Sequence, residues 1–388
     1  MTDSVSERVA DAAEQFQSED SAIDLKDFTR RELRELVNYG LDEPEFRGDQ
    51  LFKWLYCHLA EEFEQMTNLS KDLRAKLDGT AQVSPLSFNG AHQSDDGTQK
   101  LTFRCHDDAV VESVFIPSRN RNTLCISSQV GCAMGCTFCY TAKMGLQRNL
   151  TAGEIVDQVV QARRLTAEQD GRLGNIVFMG MGEPLHNDDN VIRAIEILLD
   201  ENGLNFSRRK VTVSTSGVVP AIERLGEETN VQLAISLNAT TDETRSEIMP
   251  VNDRWGLDEL IDTLENYPLS NRERITFEYV LIKGLNDTLE DAQRIIELTA
   301  DIPSKINLIP FNPHPKTPFE TPSEETMEAF QKYLVDRNIG VYRRRTRGRD
   351  EMAACGQLGE PGDEKEPPHV QKKLEKFRSQ QASKVVTP

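Results

Sequence analysis

Residues 125–150 read CISSQVGCAMGCTFCYTAKMGLQRNL and hold four of the chain's seven cysteines, Cys125, Cys132, Cys136 and Cys139, within fifteen positions. Cys57 and Cys105 stand alone upstream, and Cys355 lies far downstream near the C-terminus. Cys132, Cys136 and Cys139 follow a C-x3-C-x2-C spacing. Three thiolates on one tight loop suit three irons of a 4Fe–4S cube and leave the fourth iron open to another ligand. Zinc is the alternative those residues allow, with Cys125 or a histidine as the fourth ligand. Zinc sites usually come as two paired C-x2-C knuckles, and a second knuckle is absent from the sequence.

The segments after this loop set the fold class. TLCISSQV, GNIVFMG, KVTVSTSG, VQLAISLNA, RITFEYVLI and KINLIPFN read as strands, separated by helical stretches such as TAGEIVDQVVQARRLTAE and LEDAQRIIELTA. Six strand–helix units predict an α/β protein with a parallel sheet and right-handed crossovers. Both a doubly wound sheet and an incomplete β/α barrel fit that count. In either, the ligand site lies at the C-terminal ends of the strands. The segments SSQVGCAMGC, MGMGEPLHN, STSGVV, SLNATTDE and IPFNPHP concentrate glycine and polar residues there.

Outward from this core, residues 1–24 are acidic and Ser/Ala/Gln-rich and predict a disordered leader. Residues 25–85 carry helical apolar spacing broken at Gly40 and Pro44, a small bundle of short helices. KLTFRC and AVVESVFIP alternate like paired strands with a turn at His106–Asp108, a β extension over 86–120. The barrel is expected over 121–345, followed at 346–388 by a loop bearing Cys355 and a flexible tail with at most one loose helix. With no bilayer-length apolar run and no signal segment, the chain is expected in the cytoplasm, where clustered cysteines serve metals or catalysis. The net charge of −19 argues against a broadly RNA-coated surface and leaves recognition to local patches. Two are visible, Arg208–Arg209–Lys210 and the run YRRRTRGR with Arg343, Arg344, Arg345, Arg347 and Arg349, which leads into Cys355.

The C-x3-C-x2-C loop with Phe138 inside CTFC, opening a βα repeat, resembles the radical S-adenosylmethionine (SAM) superfamily. That resemblance implies a partial (β/α)6 barrel with a small N-terminal helical domain. It also implies one 4Fe–4S cluster on Cys132, Cys136 and Cys139, with SAM chelating the open iron. By the same match Gly182 and Glu183 in GMGEPL, Ser214 in STSGVVP, Ser236, Leu237 and Asn238 in SLN, and Asn312 in IPFNP line the SAM pocket. Ordinary strand-end capping is the other reading of these polar residues. Many relatives carry histidine where this chain has Asn238, so no ring-specific role transfers there.

Together with FRGDQLFKWLY, VESVFIP and AACGQLG, these motifs resemble one family from about residue 26 to 358. It is the RlmN family of dual-specificity methyltransferases, which act on carbon 2 of an adenine in 23S rRNA and tRNA. That carbon lies between two ring nitrogens and is electrophilic, so it does not displace the SAM methyl group directly. The resemblance implies two SAM molecules per turnover, with Cys355 methylated first and its methyl group then activated by a radical. It further implies Cys125 as the residue resolving a protein–RNA adduct through a transient disulfide, and Glu112 as the acid/base carboxylate. A flavodoxin-type electron donor and a monomer are expected. Phe52, Trp54 and Tyr56, with Arg47 and Lys53, either contact RNA or form the small domain's core, the core reading being favoured. The rivals are the sister group that methylates carbon 8, a zinc-stabilised RNA-binding protein, and a radical SAM enzyme acting on a small molecule.

Overall fold

The computed structural model describes residues 7–16, 22–119, 121–167, 172–270 and 272–359, with 371, 372 and 375 beyond them. The tail expected after Cys355 therefore lies almost wholly outside the described residues. Four helices come first: α1 (Glu7–Gln15), α2 (Arg30–Leu41), α3 (Phe46–Tyr56) and α4 (Lys71–Thr80). α2 starts at Thr29, whose hydroxyl accepts from the Glu32 N–H while Glu32 accepts from the Thr29 N–H, a reciprocal cap readable as T-x-x-E. Residues 7–15, expected to be disordered, form α1 instead, because Val9 and Ala12 lie on one face and are buried. Phe52 and Tyr56 are wholly buried, with ring centroids 4.6 Å apart, which makes them core. Trp54 is partly buried and donates from Nε1 to Asn68 Oδ1 (2.6 Å).

One sheet of ten strands dominates the rest. Its strands are β1 (Ser87–Gln93), β2 (Gln99–Arg104), β3 (Val110–Ile116), β4 (Asn122–Ile126), β5 (Leu173–Phe178), β6 (Val211–Thr215), β7 (Gln232–Ser236), β8 (Ile275–Leu281), β9 (Ser304–Pro310) and β10 (Val341–Arg343). Every strand pairs with its neighbour in sequence. β1 to β4 pair antiparallel, and β4 to β10 are all parallel. This order decides between the two α/β architectures. A doubly wound sheet reverses direction at a switch point, whereas here each right-handed crossover adds the next strand on the same side. The sheet is thus the partial barrel, with α5 (Ala152–Leu165), α6 (Asp188–Leu199), α7 (Val219–Glu228), α8 (Asp242–Ile248), α9 (Leu257–Glu265), α10 (Leu289–Leu298) and α11 (Glu324–Val335) in the crossovers. Two strands were not legible in the sequence: β1, which is mostly exposed, and β10, a three-residue seventh parallel strand inside the arginine run.

The small bundle is fastened to the barrel through charge. Lys26 and Asp157 on α5 form an ion pair in which neither side chain is exposed. Lys26 Nζ also donates to Ser84 Oγ (3.2 Å), and the Leu86 N–H donates to Asp157 Oδ2 (3.2 Å). Burial pushes the Lys26 ammonium pKa down, opposed by Asp157, so each charge depends on the other. Lys26→Met strands a buried carboxylate and is expected to cost about 3 kcal/mol. Urea unfolding checks this; a Lys26→Met, Asp157→Leu double variant that is no more stable than the single one would count against the pairing argument.

Candidate active site

The cysteine loop is closed at its base by a short antiparallel ladder, Gln129–Gly131 with Leu146–Asn149. Gly131 is required there: its φ is +76°, and a Cβ would lie 1.8 Å from the Gly145 carbonyl oxygen. The Cys132 N–H donates to the same carbonyl (2.9 Å). The loop is thereby held across the C-terminal ends of the parallel strands.

Those ends line a cavity open to solvent on one side. Its walls include Cys132, Cys136 and Cys139, Gly182 and Glu183 after β5, and Ser214 to Ser216 at the end of β6. Ser236 and Asn238 from β7, Glu278 from β8, Asn312 after β9, and Cys355 complete it. Burial raises the pKa of all three loop thiols, and Cys132 is raised further by its neighbours Cys136 and Cys139. Three mutually repelling buried thiols become thiolates together only beside a strongly cationic centre, which is the donor chemistry a 4Fe–4S cluster requires. Among the described residues, no three His, Cys, Asp or Glu side chains are grouped so as to hold a metal ion.

The Glu183 carboxylate accepts from the N–H groups of Leu185 (3.0 Å) and Ser216 (2.7 Å), one on each oxygen. Each oxygen keeps a lone pair for a cationic ligand. Burial raises the Glu183 pKa, and these donors pull against it. Gly182 has φ +98°, and a Cβ there would lie 2.5 Å from Gln129 Cβ. Gly182→Ala is expected to cost about 2 kcal/mol in stability and to weaken SAM binding by roughly tenfold or more. Equilibrium dialysis and thermal melts check it; parental values in both would remove the steric argument.

Ser214 Oγ donates to Glu278 Oε2 (2.7 Å), and Asn238, at φ +54°, accepts from the Val280 N–H (2.9 Å) through its side-chain oxygen. The Asn312 amide donates to the Cys355 carbonyl (3.1 Å). Leu237, expected in the pocket, is wholly buried and is not among the cavity-lining residues. β7 ends at Ser236, and the tight turn that follows it, with Asn238 at φ +54°, presents Ser236 and Asn238 to the cavity and leaves Leu237 in the core. Sequence reasoning missed Thr215, Ser216 and Glu278. Glu278 had a signal: it is the one ionisable carboxylate within the apolar strand Ile275–Leu281.

A second, smaller cavity adjoins the first, and Met179, Ile309, Asn312 and Cys355 line both. The smaller one also contains Cys125, Val114, Ile116 and Arg344. All seven cysteines are free thiols, so no standing disulfide joins Cys125 to Cys355; the one expected between them is transient. Burial first, then the neighbouring Cys355, pushes the Cys125 pKa up to about 12, with Arg344 opposing. Arg344 Nη1 lies 3.9 Å from Glu278 Oε1, and Cys355, then Glu278, favours its charged form against burial. Glu112 lines neither cavity. It lies one strand repeat from Val114, on the same face of β3, and is held by Lys100 Nζ (3.3 Å) and the Gly359 N–H (2.8 Å).

The two basic patches separate in space. Arg344, Arg345 and Arg347 line the smaller cavity, while Arg343 turns away to Glu324 (2.5 Å). Arg208–Lys210 immediately precede β6 and so sit at the opposite end of that strand from the cavity. Cys57 is exposed, and Cys105 is buried, its pKa pushed up to about 12 by that burial. No described helix is long and apolar enough to cross a membrane.

The Radical SAM superfamily model matches residues 126–299, and that of the ribosomal RNA large subunit methyltransferase N-terminal domain matches residues 23–83. The chain is 54% identical over 336 residues to the dual-specificity RNA methyltransferase RlmN of Pelobacter propionicus, covering 86% of this chain and 95% of that protein. It is 51% identical over 356 residues to the RlmN of Geobacter sulfurreducens, covering 92% and 97% respectively. The crystal structure of a radical SAM methyltransferase from Sphaerobacter thermophilus superposes with a TM-score of 0.83 at 45% identity, covering 87% of this chain and 99% of that one.

Proposed function

The chain belongs to the RlmN family of dual-specificity RNA methyltransferases, within the radical SAM superfamily, and from that membership we propose that it methylates carbon 2 of an adenine through a methylated Cys355. It is a radical SAM RNA methyltransferase. The observation that carries the finer reading is the place of Cys355 in the wall common to two cavities, one bearing the three loop cysteines and the other bearing Cys125. Cys132, Cys136 and Cys139 would hold the 4Fe–4S cluster, and Glu183, Ser214, Ser236, Asn238 and Asn312 would bind SAM. Bound there, cluster and SAM together supply the equivalent that abstracts a hydrogen atom.

The residues then divide the work. The Cys355 thiolate takes the methyl carbon of one SAM, and the electron pair of the broken sulfonium bond leaves with S-adenosylhomocysteine. After a hydrogen atom is removed from the S-methyl group, its carbon bonds to ring carbon 2, and the radical adduct would return one electron to the oxidised redox partner that supplied the first and give up its ring proton to a base. Glu112 takes that proton, which requires the carboxylate to be released from the Gly359 N–H. Cys125 attacks the Cys355 sulfur; the S–CH2 electron pair passes to the methylene carbon, which is protonated to methyl. The resulting disulfide is returned to two thiols by an external dithiol. Arg344, which lines the smaller cavity together with both thiols, favours the anionic form of Cys125.

The same reading makes 23S rRNA and tRNA the substrates, with the target adenine unstacked into the site. It uses two SAM per turnover and a flavodoxin-type electron donor, in a cytoplasmic monomer. The test is anaerobic reconstitution with iron and sulfide, addition of SAM, reductant and RNA, and mass spectrometry of the Cys355 peptide and of the RNA nucleosides. Methylated Cys355 with 2-methyladenosine is the expected result. 8-Methyladenosine would move the regiochemistry to the sister group, and unmodified Cys355 with SAM cleaved would overturn the methyl-carrier role.

A further inference from the structure

The segment that carries Cys355 is tied down on both sides, and one of the two ties comes from outside the barrel. On the upstream side, the Gly348 N–H donates to Asp96 Oδ2 (3.2 Å) and Arg347 Nη1 donates to the Asp96 carbonyl (3.3 Å). Asp350 accepts from the Ser94 hydroxyl and from the Asp95 N–H (3.1 Å). These partners all belong to the turn joining β1 to β2. That turn is itself held: the Ser94 N–H donates to the Thr98 carbonyl (2.8 Å), and the Thr98 N–H donates to Asp96 Oδ1 (2.9 Å). On the downstream side, the Gly356 carbonyl accepts from the Tyr140 N–H (2.7 Å) and the Leu358 carbonyl from the Thr141 hydroxyl (2.6 Å). Tyr140 and Thr141 directly follow the last loop cysteine. Cys355 thus rides on a span of a few residues between two fixed points, rather than on a free C-terminal segment.

We propose that the β1–β2 turn is the anchor that sets the position of Cys355 over the two cavities, with Asp96 and Asp350 as positioning residues for methyl transfer. The inference rests on Cys355 being the methyl carrier. Neither carboxylate lines a cavity, so each acts only through the loop. Their partners are suited to ionised carboxylates. Against the burial that would raise it, the Thr98 hydroxyl and N–H, the Gly348 N–H and Arg347 hold the Asp96 pKa below the usual range. The Ser94 hydroxyl and the Asp95 N–H do the same for Asp350. The need for an anchor follows from the chemistry. One sulfur has to reach a methyl group in the larger cavity and then serve a reaction beside Cys125 in the smaller one, and a misplacement of about 1 Å costs on the order of a hundredfold in rate. The antiparallel extension, which otherwise contributes only Val114 and Ile116 to a cavity wall, thereby has a function.

The test uses full-length protein reconstituted with iron and sulfide, as the parent and as Asp96→Ala, Asp350→Ala, Ser94→Ala and Ser94→Thr. Hydrogen–deuterium exchange of peptides covering residues 348–358 is expected to quicken in the three alanine variants. In Ser94→Thr, which keeps the hydroxyl donor, it should stay at the parental rate. Single-turnover methylation of Cys355, read by mass spectrometry, is expected to fall by roughly 10- to 100-fold in the alanine variants and to recover in Ser94→Thr. Iron content, reductive SAM cleavage and melting temperature should stay near parental values. Parental exchange and methylation in Asp96→Ala and Asp350→Ala would overturn the anchor. A parallel loss of SAM cleavage and thermal stability would also overturn it, by reducing the effect to general destabilisation. A parent that never methylates Cys355 would instead overturn the functional reading on which the anchor depends.

Discussion

Cys355→Ala is expected to reduce RNA methylation by at least about 1,000-fold while leaving iron content and reductive SAM cleavage within about twofold of the parent. The separation of the two effects is what makes the variant informative. Cys355 contributes to the walls of both cavities, but the cluster thiols, Glu183 and Ser214 are held by bonds that do not involve its side chain. Its carbonyl, the atom that Asn312 binds, is kept in alanine, so the loop should hold its path. No other cysteine can stand in: Cys125 is buried, with its pKa pushed up to about 12, and Cys57 and Cys105 line neither cavity. Iron analysis, 5′-deoxyadenosine release and methylated-nucleoside yield measure the three quantities separately. Residual methylation above about one-tenth of the parental rate would sink the methyl-carrier assignment.

Cys125→Ala should produce the opposite kind of failure, a reaction that starts and cannot finish. Methyl loading and addition to the base need only Cys355, so RNA is expected to accumulate covalently bound to protein, visible as a shifted band on a denaturing gel. Turnover should fall by roughly 100-fold or more. The physical basis is the shared small cavity, whose walls hold both Cys125 and Cys355. The parent should also show a pH signature. Burial, the larger cause of the raised Cys125 pKa, persists in the adduct, where the alkylated Cys355 sulfur carries no charge, so the Cys125 thiolate fraction at neutral pH is small and grows with pH. Adduct resolution in single turnover is therefore expected to quicken about tenfold per pH unit between pH 7 and 9, where another step does not limit it. Normal turnover with no adduct in Cys125→Ala would remove this residue from the mechanism.

The residues that the sequence disclosed are those whose chemistry demands a local pattern. Cys132, Cys136 and Cys139 must share one loop, and Gly182 and Glu183 must share one turn, so their spacing is visible in the chain itself. Glu278 and Arg344 had weaker signals. A glutamate inside an apolar strand and one arginine among five acquire meaning only when the curvature of the sheet brings them to 3.9 Å. Leu237 shows the reverse error, since a motif match assigns three consecutive residues to a pocket, whereas the turn after β7 sends Leu237 into the core. Arg208–Lys210 look like an RNA patch by composition, yet they lie before β6 and so at the far end of the strand from the site.

The sequence by itself determined the α/β class, the C-x3-C-x2-C loop and the helical N-terminal segment, because periodicity and close spacing act over a few residues. The tertiary structure decided the rest. The strand order made the sheet a partial barrel, since the choice between that and a doubly wound sheet turns on which side each crossover returns to. It placed Cys125 and Cys355, 230 positions apart in the chain, on one cavity. It also bound the Cys355 loop to a turn some 250 residues earlier, through Asp96 and Asp350. Contacts at such separations leave no periodic trace in the chain, because they are set by how whole strands and loops pack against one another.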